Sequence, residues 1–536
     1  MKTSISLRAR VCAALFLILL AAPVQAADKA ALEGRLAATV GAGQGDDASV
    51  RLSAIRAFYA SRGFGWHWTD GRALSGKAQD ALDLLQAADK EGLEPADYLS
   101  AVLPAPARFE THDAAARFEI ALSDAMLGYL SDLRTGRVAP SRLDPDLFVA
   151  IPAIDGRDAL ERLAAGDGPR TAAGHYTPGN PVYRNLRDSL ATYRRVAELG
   201  GWPVVPEGPK LEEGVAEPRV AALRSRLAAT KDLLEPDSGS EQFDASLKQA
   251  VIAFQRRHGL DTDGVVGPAT LAALNVPVED RIDQIKWNME RWRWMPDDLG
   301  TQHVLVNIAA FELQGVMNGT IRKRMRVVVG REYRRTPVFS DAIQYMEVNP
   351  YWHVPTSIAV KDLLPKIKAN LGYLASEGFS VLDGWGANAR RLDPQAIDWN
   401  ALGGGRFPYK LRQDPGAKNA LGRIKFMFPN KHDVYLHDSP ARELFGREIR
   451  TFSSGCIRVE NPQGLAEFLL ATQSQPKTDE LNAAFASKDT RIVRLAEPVP
   501  VHLAYFTAWT DEDGTVQFRK DIYGRDRDLA AALGRT

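Results

Sequence analysis

Cys456 and His437 are the side chains whose types and spacing could do covalent chemistry. The chain has two cysteines, and Cys12 lies in an N-terminal segment composed like an export signal. Cys456 is therefore expected to be the only thiol of the exported protein. A lone thiol cannot close an internal disulfide; it is either a small core residue or a reagent. Its surroundings, Ser453-Ser454-Gly455-Cys456-Ile457-Arg458, read as a polar turn rather than a continuous strand, which favours the reagent. A thiol of ordinary pKa, about 8.5, is only a few per cent ionised at neutral pH. His437 precedes it by nineteen positions, enough for a strand, a loop and a return. As a neighbour it could take the thiol proton and pass it to a departing amine. Gly455 allows a tight turn, and the amides around Gly455 and Cys456 could donate to an acyl-transfer oxyanion, each worth about 3 kcal/mol of barrier. Arg458 could orient a carboxylate, or simply brace the loop through a salt bridge.

The elements that must position these residues lie in a long chain. Its 536 residues are 45% hydrophobic and 25% charged, ordinary values for a globular protein. Lys2, Arg8 and Arg10 precede an uncharged apolar run, Val11 to Ala22, and Val24-Gln25-Ala26 supplies small residues for cleavage. Residues 1–26 are therefore expected to be a signal peptide, and the remainder a periplasmic protein without a membrane span. Cleavage removes three basic residues from a chain with 67 basic and 67 acidic ones, leaving it near neutral. That balance gives no support to a nucleic-acid partner or a membrane-surface anchor. Roughly 510 residues exceed what one core organises, so several domains are expected.

Residues 27–205 read as an alpha-helical scaffold domain. Ala81 to Ala88 and Phe118 to Leu133 carry apolar residues at three- and four-residue spacing, and Trp66 and Trp68 read as packing anchors in preference to a sugar platform. Gly200-Gly201-Trp202-Pro203 opens a boundary. In 210–277, Val251, Phe254 and Leu260 mark one helix face, Gly259 a helix end, and Asp263-Gly264-Val265-Val266-Gly267-Pro268 a turn into another helix. This run resembles the peptidoglycan-binding domain type 1 family, a three-helix module; it implies a wall ligand, with a purely packed interdomain role as the alternative. Residues 280–300 form a linking helix with Ile285, Met289 and Trp292 on one stripe. From 301 to 498 short beta-branched runs such as Val304-Leu305-Val306 and Val327-Val328-Val329 predict a mainly beta domain, followed by a C-terminal tail, 499–536.

His437, fifteen intervening residues and Ser453-Ser454-Gly455-Cys456-Ile457-Arg458 together resemble the signature of the L,D-transpeptidase (YkuD-type) catalytic domain. Many members carry His or Asn where this chain has Ser454; the Ser-Ser-Gly-Cys form is similar to the large YcbB-type branch. Asn349 to Pro355, Asn288 to Trp294, Lys425 to Asn430, Phe58-Tyr59, Gly92 to Pro95 and Asp521 to Gly524 resemble that branch as well. The resemblance implies a multidomain architecture: helical scaffold, binding module, and a mainly beta catalytic domain with a capping insertion, here 354–411, containing Gly403-Gly404-Gly405.

The resemblance also implies an activity. Cys456 would attack the third residue of a peptidoglycan stem tetrapeptide, release D-alanine and hold a thioester. An amine of a neighbouring stem would resolve it, giving a 3→3 crosslink. His437 would act as base and acid, oriented by a backbone carbonyl such as that of Asp438, with Gly455, Ser454 and Arg458 supporting the site. No metal or organic cofactor is implied, and carbapenems are expected to acylate Cys456. Tyr435, two positions before His437, would share its face of a strand. Tyr351, Trp352 and Ser453 are substrate-binding candidates, the two aromatics being equally readable as core. His353 and His432 show no metal spacing.

Other readings meet specific objections. Ser474-Gln475-Pro476-Lys477 matches a penicillin-binding Ser-x-x-Lys only superficially, because its companion motifs are missing. A papain-like order needs the histidine after the cysteine. L,D-carboxypeptidase action, attachment of proteins to the wall, and a non-catalytic wall-binding scaffold remain alternatives to crosslinking.

Overall fold

The computed structural model describes residues 29–534 apart from 39–45, 152, 167, 235–238, 387, 404, 406 and 474. The expected signal peptide, Cys12, Gly404 and Ser474 thus lie outside the described residues. No helix among the described residues is long and apolar enough to cross a membrane. The N-terminal part is helical, and the C-terminal part is a beta-rich domain whose main sheet closes on itself. The chain separates into two compact units.

The first unit comprises the described residues of 29–139, 150–199 and 278–294. Its central helix, His112–Thr135, starts where Thr111 accepts the Ala114 amide and ends at Gly136. Glu119 and Ser123 on this helix are fully buried. Glu119 accepts from Tyr59 Oη, Thr69 Oγ1 and the Trp68 amide. Trp68, wholly buried, donates from Nε1 to Ser123, so it is a packing anchor rather than a sugar platform. Helix Val278–Arg293 returns to this unit from a distant part of the sequence. Glu290 caps the amides of Arg137 and Val138 and pairs with Arg293 at 2.8 Å. Gly136, at φ 77°, sits where a Cβ would fall 2.5 Å from Glu290 Oε1, so no side chain fits.

The second unit comprises the described residues of 140–149, 200–277 and 295–534. Helices Pro218–Ala229, Ala245–Arg257 and Pro268–Leu274 enclose Leu223, Leu227, Val251, Phe254 and Leu274. Gln255 moulds the turn between the last two, bonding Asp263, Val265 and the Gly264 amide.

The strands are β1 Gln302–Asn307, β2 Glu312–Met317, β3 Thr320–Gly330, β4 Phe339–Val348, β5 Trp352–His353, β6 Phe379–Leu382, β7 Arg391–Leu392, β8 Lys410–Gln413, β9 Ile424–Met427, β10 Leu436–His437, β11 Thr451–Ser453, β12 Ile457–Val459, β13 Arg491–Ala504, β14 Ala508–Thr510 and β15 Val516–Phe518. The main sheet runs β11-β3-β12-β10-β9-β4-β13-β1-β2, and β2 also pairs with β3, closing the ring. Strand β13 crosses residue 498 and pairs with both β4 and β1. The insertion between β5 and β8 builds its own sheet, β5-β8-β6-β7, and its own core around Leu363, Ile367, Phe379, Val381 and Leu411. Residues 140–149 join the main domain: Leu147 bridges to Val338, and Phe148 lies against His432, ring centroids 3.8 Å apart.

Candidate active site

Adjacent parallel strands bring Cys456 and His437 together. β10 and β12 pair with Leu436 opposite Ile457 and His437 opposite Arg458, so the turn before β12 comes up beside Tyr435 and His437. The amide of Ile457 donates to the Tyr435 carbonyl at 3.2 Å. The intervening chain folds into a short 3-10 helix, Arg442–Gly446, and returns as β11.

The turn is built around Ser453, which is buried. Its Oγ donates to the Cys456 carbonyl at 2.5 Å and accepts from the Gly455 amide at 3.1 Å. Gly455 has φ 120°, a conformation side-chain-bearing residues avoid. Its N–H, expected as an oxyanion donor, is thus engaged by Ser453, because the tight turn folds the hydroxyl back onto it. The Cys456 N–H has no protein acceptor among the described residues and is the amide available for that task. Beneath the turn, buried Thr336 donates from Oγ1 to the Gly455 carbonyl at 2.8 Å and accepts the Gly330 amide at 2.9 Å. Tyr523 Oη donates to the Gly330 carbonyl at 2.6 Å and accepts the Thr336 amide at 3.3 Å.

The thiol faces the Asp433 carbonyl at 3.7 Å. Asn430 shapes that loop by bonding Phe428, His432 and Val434, and Asp433 takes a left-handed φ of 53°. The Tyr435 amide and hydroxyl act on the sulfur in the direction that favours its thiolate. The Tyr435 ring stands 5.7 Å from His437, the shared face that a two-residue strand spacing gives. His437 Nδ1 lies 2.6 Å from the Asp438 carbonyl. That contact makes Nδ1 the protonated nitrogen and leaves the Nε2 lone pair for a proton. The Asp438 carboxylate points elsewhere, accepting the Arg423 and Ser439 amides.

Burial pushes the Cys456 thiol up to about 11, against the opposing pull of the Tyr435 donors and Arg458. Burial, helped by Arg458, holds His437 down at about 3, although the Asp438 carbonyl favours its cation. Burial also lowers Arg458, with Arg331 adding to the effect, and its Nε has no partner among the described residues. At neutral pH the thiol and imidazole are therefore both uncharged. The donors around the sulfur are poised for charge that develops during attack.

Comparison with known sequences fits this geometry. Residues 301–493 match the L,D-transpeptidase catalytic domain model. The chain carries an L,D-transpeptidase catalytic domain. Residues 216–274 match the model described as "Putative peptidoglycan binding domain", and 53–190 match the scaffold domain model. A Haemophilus influenzae protein named "Putative L,D-transpeptidase" is 39% identical over 255 residues, which cover 47% of this chain and 50% of that protein. The chain thus spans half the length of that relative. Among solved structures, an L,D-transpeptidase from Xylanimonas cellulosilytica is 18% identical with TM-score 0.18, covering 56% of this chain and 98% of that one. One from Mycobacterium smegmatis is 10% identical with TM-score 0.20, covering 38% and 58%. At such scores the structural likeness carries no further argument.

Within the transpeptidase domain the remaining candidates fall away from the thiol's own contacts. Trp352 lies on β5 against the core of the insertion, 6.1 Å from the Phe379 ring. Tyr351 lies under the Arg412 guanidinium at 4.3 Å. Ser454 is exposed and accepts from Arg334 Nη1 at 2.9 Å. Sequence reasoning missed Thr336, Asn430, Asp433 and Arg334. The one available signal was the basic run Arg331-Glu332-Tyr333-Arg334-Arg335 between two strands of the domain.

Proposed function

We propose that this protein is an exported peptidoglycan L,D-transpeptidase that forms 3→3 crosslinks between stem peptides. The observation that carries the reading is the parallel pairing of β10 with β12, which brings the turn holding the Cys456 thiol up beside the strand of Tyr435 and His437, with the imidazole oriented by the Asp438 carbonyl at 2.6 Å. His437 Nε2 takes the thiol proton as the sulfur adds to the carbonyl of the donor's third residue. The oxyanion forms against the Cys456 N–H and the Tyr435 hydroxyl. Collapse breaks the amide bond, His437 protonates the departing D-alanine amine, and a thioester remains on Cys456. The side-chain amine of a second stem then loses a proton to His437 and attacks the thioester; its collapse re-forms the thiol and leaves the crosslink.

The peptidoglycan-binding match at 216–274 supports the wall as substrate. Residues 1–26 would direct the chain to the periplasm, and carbapenems would acylate Cys456. The test is incubation of the full-length mature protein with disaccharide-tetrapeptide and analysis of products by mass spectrometry. A crosslinked dimer lacking one D-alanine, absent with Cys456→Ala, is expected. Tripeptide alone would replace crosslinking by carboxypeptidase action, and no product at all would favour a wall-binding scaffold.

A further inference from the structure

The loop leaving β3 sends one cation to the nucleophile turn. Arg334 Nη1 donates to Ser454 Oγ, two residues before Cys456, at 2.9 Å, and also to the carboxylate of Asp362. Asp362 belongs to the insertion, on a π-helical turn, Ala359–Leu363. Such turns recur where function interrupts a regular helix. The Arg334 side chain is 16% exposed and that of Asp362 33%, so both side chains touch solvent. As a structural bridge this pair would contribute little, because partly exposed ion pairs are weakened by solvent screening. Its position is more telling. A carboxylate is held beside the turn that carries the nucleophile, by the side chain best shaped to grip one.

The proposed donor ends in a carboxylate. Only three bonds separate the attacked carbonyl carbon from the carboxylate carbon of D-alanine, a reach of about 4 Å. A donor whose carbonyl meets Cys456 therefore presents its terminal charge in the neighbourhood of Ser454. Both the thiol and His437 are neutral there, and Arg458 acts on the sulfur, with Arg331 acting on Arg458 in turn. The surroundings consequently favour an incoming anion.

We infer that Arg334, with the Ser454 hydroxyl, is the binding site for the terminal carboxylate of the donor stem, and that Asp362 competes for the same guanidinium. Donor binding and release of the insertion from the nucleophile turn are then one exchange of carboxylates. This rests on the acyl-transfer reading above and assigns its donor specificity.

The experiment compares disaccharide-tetrapeptide ending in D-alanine with the same donor ending in D-alaninamide, using the full-length protein. Turnover is followed by release of the terminal residue, and binding is measured separately by calorimetry on the Cys456→Ala background. Wild type should prefer the acid at least tenfold in kcat/KM. Arg334→Met should abolish that preference, raising KM for the acid donor more than for the amide donor, and Arg334→Lys should restore part of it. Asp362→Asn should lower KM for the acid donor severalfold. Equal losses for acid and amide in Arg334→Met, or a raised KM in Asp362→Asn, would overturn the assignment. If neither donor turns over but binding still prefers the acid through Arg334, the transpeptidase reading fails and the carboxylate site stands. Binding that ignores the carboxylate removes the site whatever the turnover.

Discussion

Replacing Thr336 with valine should damage both the fold and the nucleophile. Valine matches threonine in shape, so the change removes a hydroxyl and little else. That hydroxyl is fully buried, donates to the Gly455 carbonyl at 2.8 Å and accepts the Gly330 amide at 2.9 Å. Both backbone groups would be stranded. Each unsatisfied buried group costs about 1–3 kcal/mol, so for the two the loss should lie near 2–6 kcal/mol. The Gly455 carbonyl belongs to the residue before Cys456, and a shift of about 1 Å there can cost on the order of a hundredfold in rate. Urea unfolding should show the loss of stability, and intact mass during carbapenem treatment should show acylation slowed at least tenfold. Thr336→Ser keeps the hydroxyl and should stay within about 1 kcal/mol, for lost methyl packing. Tyr523→Phe removes the partner hydroxyl, and the double variant should be non-additive by about 0.5–3 kcal/mol, because the two share one network. A Thr336→Val protein within 0.5 kcal/mol of wild type (about the scatter expected of an unperturbed site) and with an unchanged acylation rate would refute this reasoning.

Other consequences follow from the same arrangement. Because burial lifts the thiol to about 11, iodoacetamide alkylation of Cys456 should rise roughly tenfold per pH unit from 7 to 10 without levelling. A plateau below pH 7 would reveal a preformed thiolate–imidazolium pair. His437 is held at about 3, below its ordinary value of 6.5. Between those values the unfolded chain binds a proton that the folded chain does not, so its contribution is full above pH 6.5 and is lost as pH falls towards 3. The loss is on the order of 5 kcal/mol, and His437→Asn should flatten this part of the stability–pH curve measured by urea midpoints. Gly136→Ala should destabilise the helical unit by more than about 2 kcal/mol, from a φ of 77° and a Cβ driven against Glu290. Thermal unfolding would check it, and an unchanged midpoint would contradict the clamp formed by helix Val278–Arg293.

The succession of helical and beta-rich regions was legible because periodicity is local. Val251 and Phe254 point into one core as their spacing requires, and the runs around Val304 and Val327 are strands. The nucleophile turn was legible from composition alone, since polar residues and glycine around a lone cysteine do not suit a core. What escaped depends on contacts that sequence neighbours do not encode. Thr336 meets Gly455 across 119 positions and Tyr523 across 187, so neither hydroxyl announces its role. Composition could show that Gly455 bends the chain, but only the fold shows Ser453 claiming its amide. Strand alternation puts Tyr435 on the face of His437, yet its place beside the nucleophile turn arises from the register of β10 and β12. Trp352 looked equally suited to a groove and a core, and the insertion's packing decides for its flank.

The most direct measurement is peptide mapping of Cys456 after rapid acid quench of the full-length protein with disaccharide-tetrapeptide. The mechanism requires a thioester on Cys456 with the mass of the donor less D-alanine. It should be depleted when acceptor stem is added and should accumulate more slowly in His437→Ala. Crosslinked product formed without that adduct, or the same product from Cys456→Ala, would contradict catalysis through this thiol.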